Sequence, residues 1–318
     1  MIVCIILFLT FFIAINLYFL LAEKFNIVDV PNERSSHRDN IIRGAGVVFP
    51  VAYLLGSFYH GEWNLYFTVG LLAISLISFL DDIYTLSNKL RLSVHFSAIG
   101  LLMYSISDQV ELPLWLLPLV FVVAVGIINA YNFMDGINGI TSVYSLVLFG
   151  SISVVFYLQD VSYQSVLTLI AGLLVFTFYN FRSRAKCFAG DVGSVSLAFI
   201  GIYLLATLMM TTQDYSFILF LLVYGVDTIF TIIQRLYNRE NIFEAHRKHL
   251  YQYFCNEFGV SHLVMSSAYG VVQLLINSLL IYNLYYNKWD SLTLSLVLIL
   301  LVSAIYILTK VQLIKRIK

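Results

Sequence analysis

Charge is scarce in this chain. Only 11% of the 318 residues are charged, 60% are hydrophobic, and the mean hydropathy is +0.87. A soluble domain usually carries about 25% charged residues, so this chain has too few charges to cover a water-facing surface of its size. The composition therefore excludes an ordinary soluble domain and predicts a polytopic membrane protein.

Cysteine and net charge are lacking as well. The three cysteines, Cys4, Cys187 and Cys255, are too few and too scattered for a disulfide framework or a metal cluster. The 18 basic residues balance the 18 acidic ones, so we expect no nucleic acid partner.

What the chain has instead is a series of apolar segments separated by short polar stretches. They cover residues 2–22, 44–60, 64–80, 92–107, 113–130, 138–158, 164–181, 194–213, 216–234, 263–283 and 290–310. We predict an all-α bundle of about 11 transmembrane helices that forms one integral-membrane domain over residues 1–318. The first segment has no basic residue before it and no small-residue cleavage pattern after it, which favours a retained span over a signal peptide.

The basic residues predict the orientation of this bundle. Seventeen of the 18 lie after segments 1, 3, 7 and 9 or in the C-terminal tail, and Lys288 is the exception. The positive-inside rule then places the N-terminus outside and the C-terminus in the cytoplasm. The cytoplasmic loops are also the long ones, so we predict the active site in loops 23–43, 81–91, 129–139, 182–194 and 235–262.

Two polar motifs end predicted spans on this face. Asp81 and Asp82 follow an apolar run, where adjacent carboxylates cost free energy unless a cation or a basic partner compensates them; a solvated helix end is the alternative. Asn129, Asn132 and Asp135 are spaced by three and therefore share one helical face. Their oxygens suit a hard cation, a sugar or a base, although amide-rich helix ends are also common caps.

A third motif, Gly190-Asp191-Val192-Gly193-Ser194, follows the basic residues Arg182, Arg184 and Lys186. We expect Ser194 to cap the next helix, whose free N–H groups would receive phosphate oxygens beside the Asp191 carboxylate. A plain capped turn between spans is the alternative.

The remaining loops are basic. One carries the run His246-Arg247-Lys248-His249-Leu250-Tyr251-Gln252, which alone is typical of a lipid headgroup contact or a topology signal. The first inner loop carries Arg34, His37 and Arg43-Gly44-Ala45-Gly46. Carboxylates, amides and basic side chains together, without clustered cysteine or histidine, predict Mg²⁺ and phosphate chemistry on a pyrophosphate-containing substrate.

At these residues the chain resembles the polyprenyl-phosphate N-acetylhexosamine-1-phosphate transferases, and most of all the branch that initiates lipopolysaccharide O-antigen. The likeness runs from about residue 28 to 252. It includes the first inner loop, where Arg43-Gly44-Ala45-Gly46 is one glycine short of the branch pattern. The other matching motifs are Asp81-Asp82 with Arg91-Leu92, residues 129–139, Lys186 with residues 190–194, and Val226-Asp227-Thr228 leading to Arg235.

The resemblance implies a transfer of N-acetylhexosamine 1-phosphate from a UDP-sugar to undecaprenyl phosphate in the bacterial inner membrane, with release of UMP. It implies Mg²⁺, with Mn²⁺ as an alternative metal, on Asp191 and Asn132, and it leaves a homodimer open as the assembly. The implied catalytic residues are Asp81, Asp82 and Asp191, for which we favour positioning and electrostatics over general-base work. The implied substrate contacts are Asn129, Asn132, Asp135, Arg91, Lys186, His249, Arg247, Arg34 and His37.

The chain departs from the family pattern in the loop after segment 9. Many relatives have His-x-His-His where this chain has His249-Leu250-Tyr251-Gln252. A phenol and an amide in place of two imidazoles make the pocket less suited to a hydroxyl-rich sugar, so we expect a 6-deoxy N-acetylhexosamine donor of the N-acetylfucosamine or N-acetylquinovosamine type.

Two other functions remain open from the sequence. A secondary transporter of a phosphorylated or nucleotide-linked solute also needs polar residues in its spans, but near the midplane and not at one face. Asp227 alone lies deep in a span, and we interpret it as a partner for basic groups of the inner face. A non-catalytic scaffold would leave the four motifs unexplained.

Overall fold

The structure, a computed structural model, describes residues 2–29, 40–84, 86–107, 114–242, 244 and 246–317. These parts contain twelve α-helices and one pair of short strands. The α-helices are α1 (Ile2–Lys24), α2 (Val48–His60), α3 (Leu65–Tyr84), α4 (Asn88–Ser105), α5 (Leu117–Met134), α6 (Ile140–Leu158), α7 (Gln164–Asn180), α8 (Gly190–Thr212), α9 (Leu222–Tyr237), α10 (Leu250–Gln252), α11 (His262–Tyr286) and α12 (Ser291–Ile317). Short 3₁₀ turns cover Ala45–Val47, Leu114–Leu116 and Tyr215–Leu221, and a π turn covers Tyr253–Glu257.

Each predicted apolar segment overlaps one of these helices, and the very short α10 lies in the loop after α9. Eight of the helical segments are long and apolar enough to cross a membrane, which confirms a mostly helical polytopic membrane protein. The exceptions are α2 and α7, which are shorter, and α4, which begins in polar sequence. The number of eleven spans therefore stays a prediction. Helix α3 runs to Tyr84, so Asp81 and Asp82 lie in its last turn and not beyond its end.

Helix α8 forms the centre of the bundle and contacts α2, α3, α5 and α6. Small residues allow these close approaches, because TM helices pack tightly where side chains are short. Ser196 of α8 shares a hydrogen bond of 2.8 Å with Ser75 of α3. Gly193 faces Gly46, and a Cβ built on Gly46 would lie 2.3 Å from the Gly193 Cα. The N-terminal turn of α8 is therefore held directly against the chain that follows α1.

A buried glutamine supports the break between the 3₁₀ turn Tyr215–Leu221 and α9. Gln273 of α11 donates to the Leu219 carbonyl at 2.8 Å and accepts from the Val223 N–H at 3.0 Å and from the Tyr144 hydroxyl at 2.7 Å. Backbone groups inside a membrane protein must find partners within the protein, so this side chain allows the helix to change its winding. These hydrogen bonds of Gln273 all go to other groups of the protein, which indicates a structural role.

A two-stranded antiparallel ribbon, β1 (Val28–Asp29) and β2 (Ile41–Ile42), closes the loop after α1. The all-α prediction missed it. Ile42 also forms a bridge with Cys187, and the Phe188 N–H donates to the Ile42 carbonyl at 2.8 Å. The ribbon thus ties the loop after α1 to the loop before α8.

The two ends of the bundle differ in chemistry. At one end the loops after α2 and α6 meet, since Glu62 accepts hydrogen bonds from the Ser162 hydroxyl and from the Ser165 N–H. At the other end lie the polar segments that follow α1, α3, α5, α7 and α9. The predicted site loops therefore meet at one end of the bundle.

Candidate active site

Asp82 caps the N-terminus of α8 with its fully buried carboxylate. Its Oδ1 accepts from the Asp191 N–H at 2.9 Å, and its Oδ2 accepts from the Val192 N–H at 3.1 Å. We had expected Ser194 to be the cap and these N–H groups to be free for phosphate, and that expectation is wrong. Ser194 instead donates back to the Gly190 carbonyl at 3.2 Å. Because a carboxylate from α3 already satisfies the helix start, α8 offers no free anion site at these two N–H groups.

Asp191 lies where three elements converge. Its Oδ1 accepts from the Asn132 amide at 3.1 Å and lies 3.5 Å from the Arg43 Nη2. Its Oδ2 lies 3.1 Å from the Arg91 Nη2. The side chain remains 17% exposed, whereas that of Asp82 is fully buried. Asp191 is thus the carboxylate of this pair that a ligand can reach.

Asp81 points in a different direction from its neighbour Asp82. It accepts from the Leu86 N–H at 2.6 Å and pairs with the Arg91 Nη1 at 2.7 Å. Arg43 pairs with Asp82 at 2.8 Å. We call Asp81, Asp82, Asp191, Arg43 and Arg91 the carboxylate centre. Three carboxylates face two guanidinium groups there.

Arg43 belongs to the carboxylate centre although it is not among the candidate site residues named from the sequence. Its carbonyl accepts from the Tyr18 hydroxyl at 2.6 Å, and its N–H donates to the Ile27 carbonyl at 3.2 Å. Burial disfavours the charged guanidinium, but Asp82 and Asp191 outweigh this effect and raise the pKa of Arg43. The sequence feature that indicates Arg43 is the glycine-rich segment Arg43-Gly44-Ala45-Gly46. Gly46 has no side chain, so it allows this segment to pack against α8.

The end of α5 contributes the predicted amide face in part. Asn132 donates to Asp191 and also to the Ser194 hydroxyl at 3.3 Å. Asn129 is exposed and donates to the carbonyl one turn earlier, while Asp135 accepts from the Thr141 hydroxyl at 2.6 Å. Burial raises the pKa of Asp135 to about 6. Of these three residues, only Asn132 bonds directly to the carboxylate centre.

The basic residues before α8 make different contacts. The Lys186 ammonium lies over the rings of Phe19 and Tyr179, at 5.5 and 5.7 Å from their centroids. The Arg182 guanidinium lies 4.4 Å from the Phe178 ring, and Arg184 is exposed. These contacts tie the segment to α1 and α7 and not to the carboxylate centre. A substrate contact for Lys186 therefore stays a prediction without geometric support.

The loop after α9 is anchored by buried side chains. His249 is 2% exposed, and its Nδ1 lies 3.3 Å from the Asp227 Oδ1. This contact agrees with the interpretation of Asp227 as a partner for basic groups of the inner face. Tyr251 is fully buried, and its hydroxyl donates to the Phe133 carbonyl at 3.0 Å. The expectation that Tyr251 lines the substrate pocket is therefore wrong, since its ring packs under the end of α5. Arg247 is half-buried, and Arg34 and His37 lie outside the described residues.

A polar cavity of about 680 Å³ opens beside the carboxylate centre. Burial lowers the pKa of His246 to about 4, so this imidazole is neutral at pH 7. The polar lining comes from α4, α5 and the loop after α9: Asn88, Arg91, His95, Asn129, Asn132, Glu244, His246, His249 and Gln252. These amide, imidazole and guanidinium groups can form hydrogen bonds with a polar ligand.

An apolar groove of about 550 Å³ lies on the other side of α5. It runs between α5 and α9 and is lined by Gly126, Ile127, Ala130, Tyr131, Val226 and Phe230 among others. Ala130 and Tyr131 directly precede Asn132 in the chain. The end of α5 therefore separates an apolar groove from a polar cavity.

The donor set of the site can be compared with the needs of a metal ion. Within the described ranges, no group of three or more His, Cys, Asp or Glu side chains could hold a metal ion. Asp191 and Asn132 could supply two oxygen ligands. This small set fits Mg²⁺, which is commonly bound by one or two carboxylates together with substrate phosphates and water, and it does not fit zinc.

Comparison of the sequence with known proteins identifies a family. The sequence model of glycosyl transferase family 4 matches residues 64–213. A Bacillus subtilis protein named "Probable undecaprenyl-phosphate N-acetylglucosaminyl 1-phosphate transferase" is 31% identical over 267 residues, which cover 76% of this chain and 73% of that protein. An undecaprenyl-phosphate alpha-N-acetylglucosaminyl 1-phosphate transferase of Thermotoga maritima is 27% identical, over 75% of this chain and 76% of its own length. A phospho-N-acetylmuramoyl-pentapeptide-transferase of Enterococcus faecalis is 32% identical, over 59% of this chain and 67% of its own.

Proposed function

The chain belongs to glycosyl transferase family 4, and we propose that it transfers an N-acetylhexosamine 1-phosphate from a UDP-sugar to undecaprenyl phosphate. One observation carries this proposal. A carboxylate centre with two arginines adjoins a polar cavity, and an apolar groove lies on the opposite face of α5 from that cavity. A substrate pair made of a nucleotide sugar and a lipid phosphate needs these three environments together. The product would start a cell-envelope glycan, such as the lipopolysaccharide O-antigen.

In the reaction, an oxygen of the lipid phosphate bonds to the β-phosphorus of the donor, and the bond from that phosphorus to the bridging oxygen breaks. The leaving group is UMP. Asp191 and Asn132 would hold Mg²⁺, which when bound neutralises charge on the diphosphate. Arg43 and Arg91 lie on either side of Asp191 and would hold phosphate oxygens. Positioning and charge neutralisation supply most of the catalysis in such transfers.

We assign neither Asp81 nor Asp82 as a general base. Three donors already occupy the Asp82 carboxylate, and Asp81 is bonded to the Leu86 N–H and to Arg91. The acceptor needs no base, because a phosphate monoester has a second pKa of about 6 and is largely dianionic at neutral pH. Both residues therefore act by holding α8, Arg43 and Arg91 in place.

The two substrates would lie on opposite sides of the α5 end. The apolar groove between α5 and α9 suits a polyprenyl chain, which has no hydrogen-bonding groups to satisfy. The polar cavity suits the sugar, because neutral His246, Asn129, Gln252 and Glu244 can pair with hydroxyl groups. We propose a 6-deoxy N-acetylhexosamine, supported here by Gln252 alone since Tyr251 does not line the cavity.

We further propose that the bundle has eleven spans with the site on the cytoplasmic side of a bacterial inner membrane. The 17 basic residues on one predicted face support this orientation. Reporter fusions near Gly61 and Asp160 should read as external, and a fusion after Ile317 should read as cytoplasmic. Cytoplasmic signals at both loops would overturn the orientation.

The central experiment measures UMP release by the purified protein in detergent. We expect release from a UDP-N-acetylhexosamine only when undecaprenyl phosphate and Mg²⁺ are both present, with EDTA abolishing it. A donor panel should include UDP-N-acetylglucosamine, because two relatives are named as N-acetylglucosaminyl 1-phosphate transferases, and its 6-deoxy analogues. A tenfold preference for UDP-N-acetylglucosamine would refute the 6-deoxy proposal alone. Failure of every donor, combined with uptake of a labelled UDP-sugar into proteoliposomes, would favour the transporter.

A further inference from the structure

Asp227 of α9 is a carboxylate buried deep among aromatic side chains, and it is only 1% exposed. The Leu250 N–H donates to both of its oxygens, at 3.1 and 3.2 Å. The hydroxyls of Tyr269 and Tyr306 donate at 2.7 and 2.9 Å. This number of donors suits an ionised carboxylate, which can only accept hydrogen bonds.

The positive charge that balances this carboxylate comes from α12. Lys310 is 5% exposed, and its ammonium donates to the Tyr306 hydroxyl at 2.7 Å and to the Thr231 hydroxyl at 2.8 Å. Both hydroxyls in turn donate to Asp227. Lys310 therefore compensates the buried charge through two hydroxyl bridges.

His249 connects this buried cluster to the polar cavity. Its Nδ1 lies 3.3 Å from the Asp227 Oδ1, and the contact requires a proton on Nδ1 because the carboxylate cannot donate. The Nε2 is buried and forms no hydrogen bond within the part of the chain that the structure describes. His249 is also among the residues that line the cavity, beside Asn132 and Gln252. A neutral imidazole protonated on Nδ1 has an accepting lone pair on Nε2.

We propose that Asp227 is a positioning residue, which fixes the proton of His249 on Nδ1 so that Nε2 accepts a hydrogen bond from a hydroxyl or amide N–H of the donor sugar. The identity of the ligand rests on the proposed function. The tautomer of His249 is inferred from the contacts of Asp227 alone and does not depend on that function. The group that His249 recognises is then a hydrogen-bond donor, and a phosphate oxygen is excluded as its partner, since two acceptors cannot pair.

The first experiment reads the tautomer without any substrate. Protein labelled with ¹⁵N-histidine is placed in lipid nanodiscs at pH 8, and His249→Gln assigns its signals among the six histidines. We expect the wild-type His249 to carry its proton on Nδ1. Asp227→Asn should move the proton to Nε2, because the amide can donate to Nδ1. A wild-type imidazole protonated on Nε2 would overturn the proposal, whatever the variants do.

The second experiment separates recognition from stability. Asp227→Asn should raise the KM for the UDP-sugar about tenfold or more with kcat within about threefold, as expected when ground-state binding is lost. Tyr269→Phe removes a different donor to the same carboxylate and is the matched control. It should lower the melting temperature yet keep the tautomer and hold KM within about twofold. Equal KM changes in both variants would indicate a structural role and overturn the proposal. If no donor yields product while the tautomer is on Nδ1, the proposed function fails and the role of Asp227 in setting the tautomer stands.

Discussion

Asp82→Asn tests whether this carboxylate acts through structure or through chemistry. An asparagine has one accepting oxygen, whereas Asp82 uses two oxygens for three donors: the N–H groups of Asp191 and Val192, and Arg43. The new NH₂ group must therefore face a donor. One buried N–H left unpaired costs about 1–3 kcal/mol, and the weakened charged bond to Arg43 costs about 1.5–3 kcal/mol.

The two costs together come to about 2.5–6 kcal/mol, a range that includes the cost of breaking one partner of a buried ion pair. For a chain of more than 250 residues, about 2 °C per kcal/mol gives a fall of about 5–12 °C in the apparent melting temperature. The measurement is thermal unfolding in detergent followed by intrinsic fluorescence, alongside turnover at a temperature where both proteins remain folded.

Asp81→Asn is the matched control, because it removes the neighbouring charge but no contact with α8. Among the described residues, Asp81 bonds to the Leu86 N–H and to Arg91, and Arg91 keeps Asp191 as a second partner. We expect its melting temperature to fall by less than half as much. An Asp82→Asn protein that has the melting temperature of the wild type but has lost turnover would refute the capping role. It would indicate that Asp82 takes part in the reaction itself.

Three further outcomes follow from the same geometry. Asp191→Asn should reduce turnover at least about a hundredfold while the melting temperature changes little, since an amide is a weaker ligand for a hard cation and the residue is partly exposed; retained turnover at ordinary Mg²⁺ would contradict the assignment. Gly46→Ala places a Cβ 2.3 Å from the Gly193 Cα and should destabilise by about 1–3 kcal/mol in chemical unfolding, whereas Gly100→Ala, with no atom within 4 Å, should not. Burial raises the pKa of Asp135 to about 6, so its folded form binds a proton more tightly than the unfolded chain does, and its contribution to stability is lost as pH rises through 6. Asp135→Asn should therefore raise the melting temperature at pH 8 but not at pH 4, and an equal change at both would refute this reasoning.

The sequence alone determined the helical architecture, because the length and hydropathy of a span are local properties. All eleven apolar segments overlap helices, and the polar motifs lie at alternate loops. Alternate connections of an up-and-down bundle share one end, so Asp81, Asn132 and Asp191 were predicted to lie close together. Their side chains do meet around Arg91 and α8.

Only the tertiary structure decided what each of these side chains does. Asp81 and Asp82 are chemically identical neighbours, but successive residues on a helix point about 100° apart. One therefore meets Arg91 and the other meets the start of α8. Arg43 pairs with Asp82 because Gly46 packs against Gly193, and no local pattern contains that contact.

The same reason explains residues whose surroundings the sequence does not reveal. Lys186 lies over aromatic rings of α1 and α7, and Tyr251 packs under α5, because the neighbouring helices offer those surfaces. Asp227 lies more than 20 residues before His249 in the chain, and the return of the loop onto α9 brings the two into contact. Residue type and spacing predict which groups are available, whereas packing between distant segments decides which of them face a ligand.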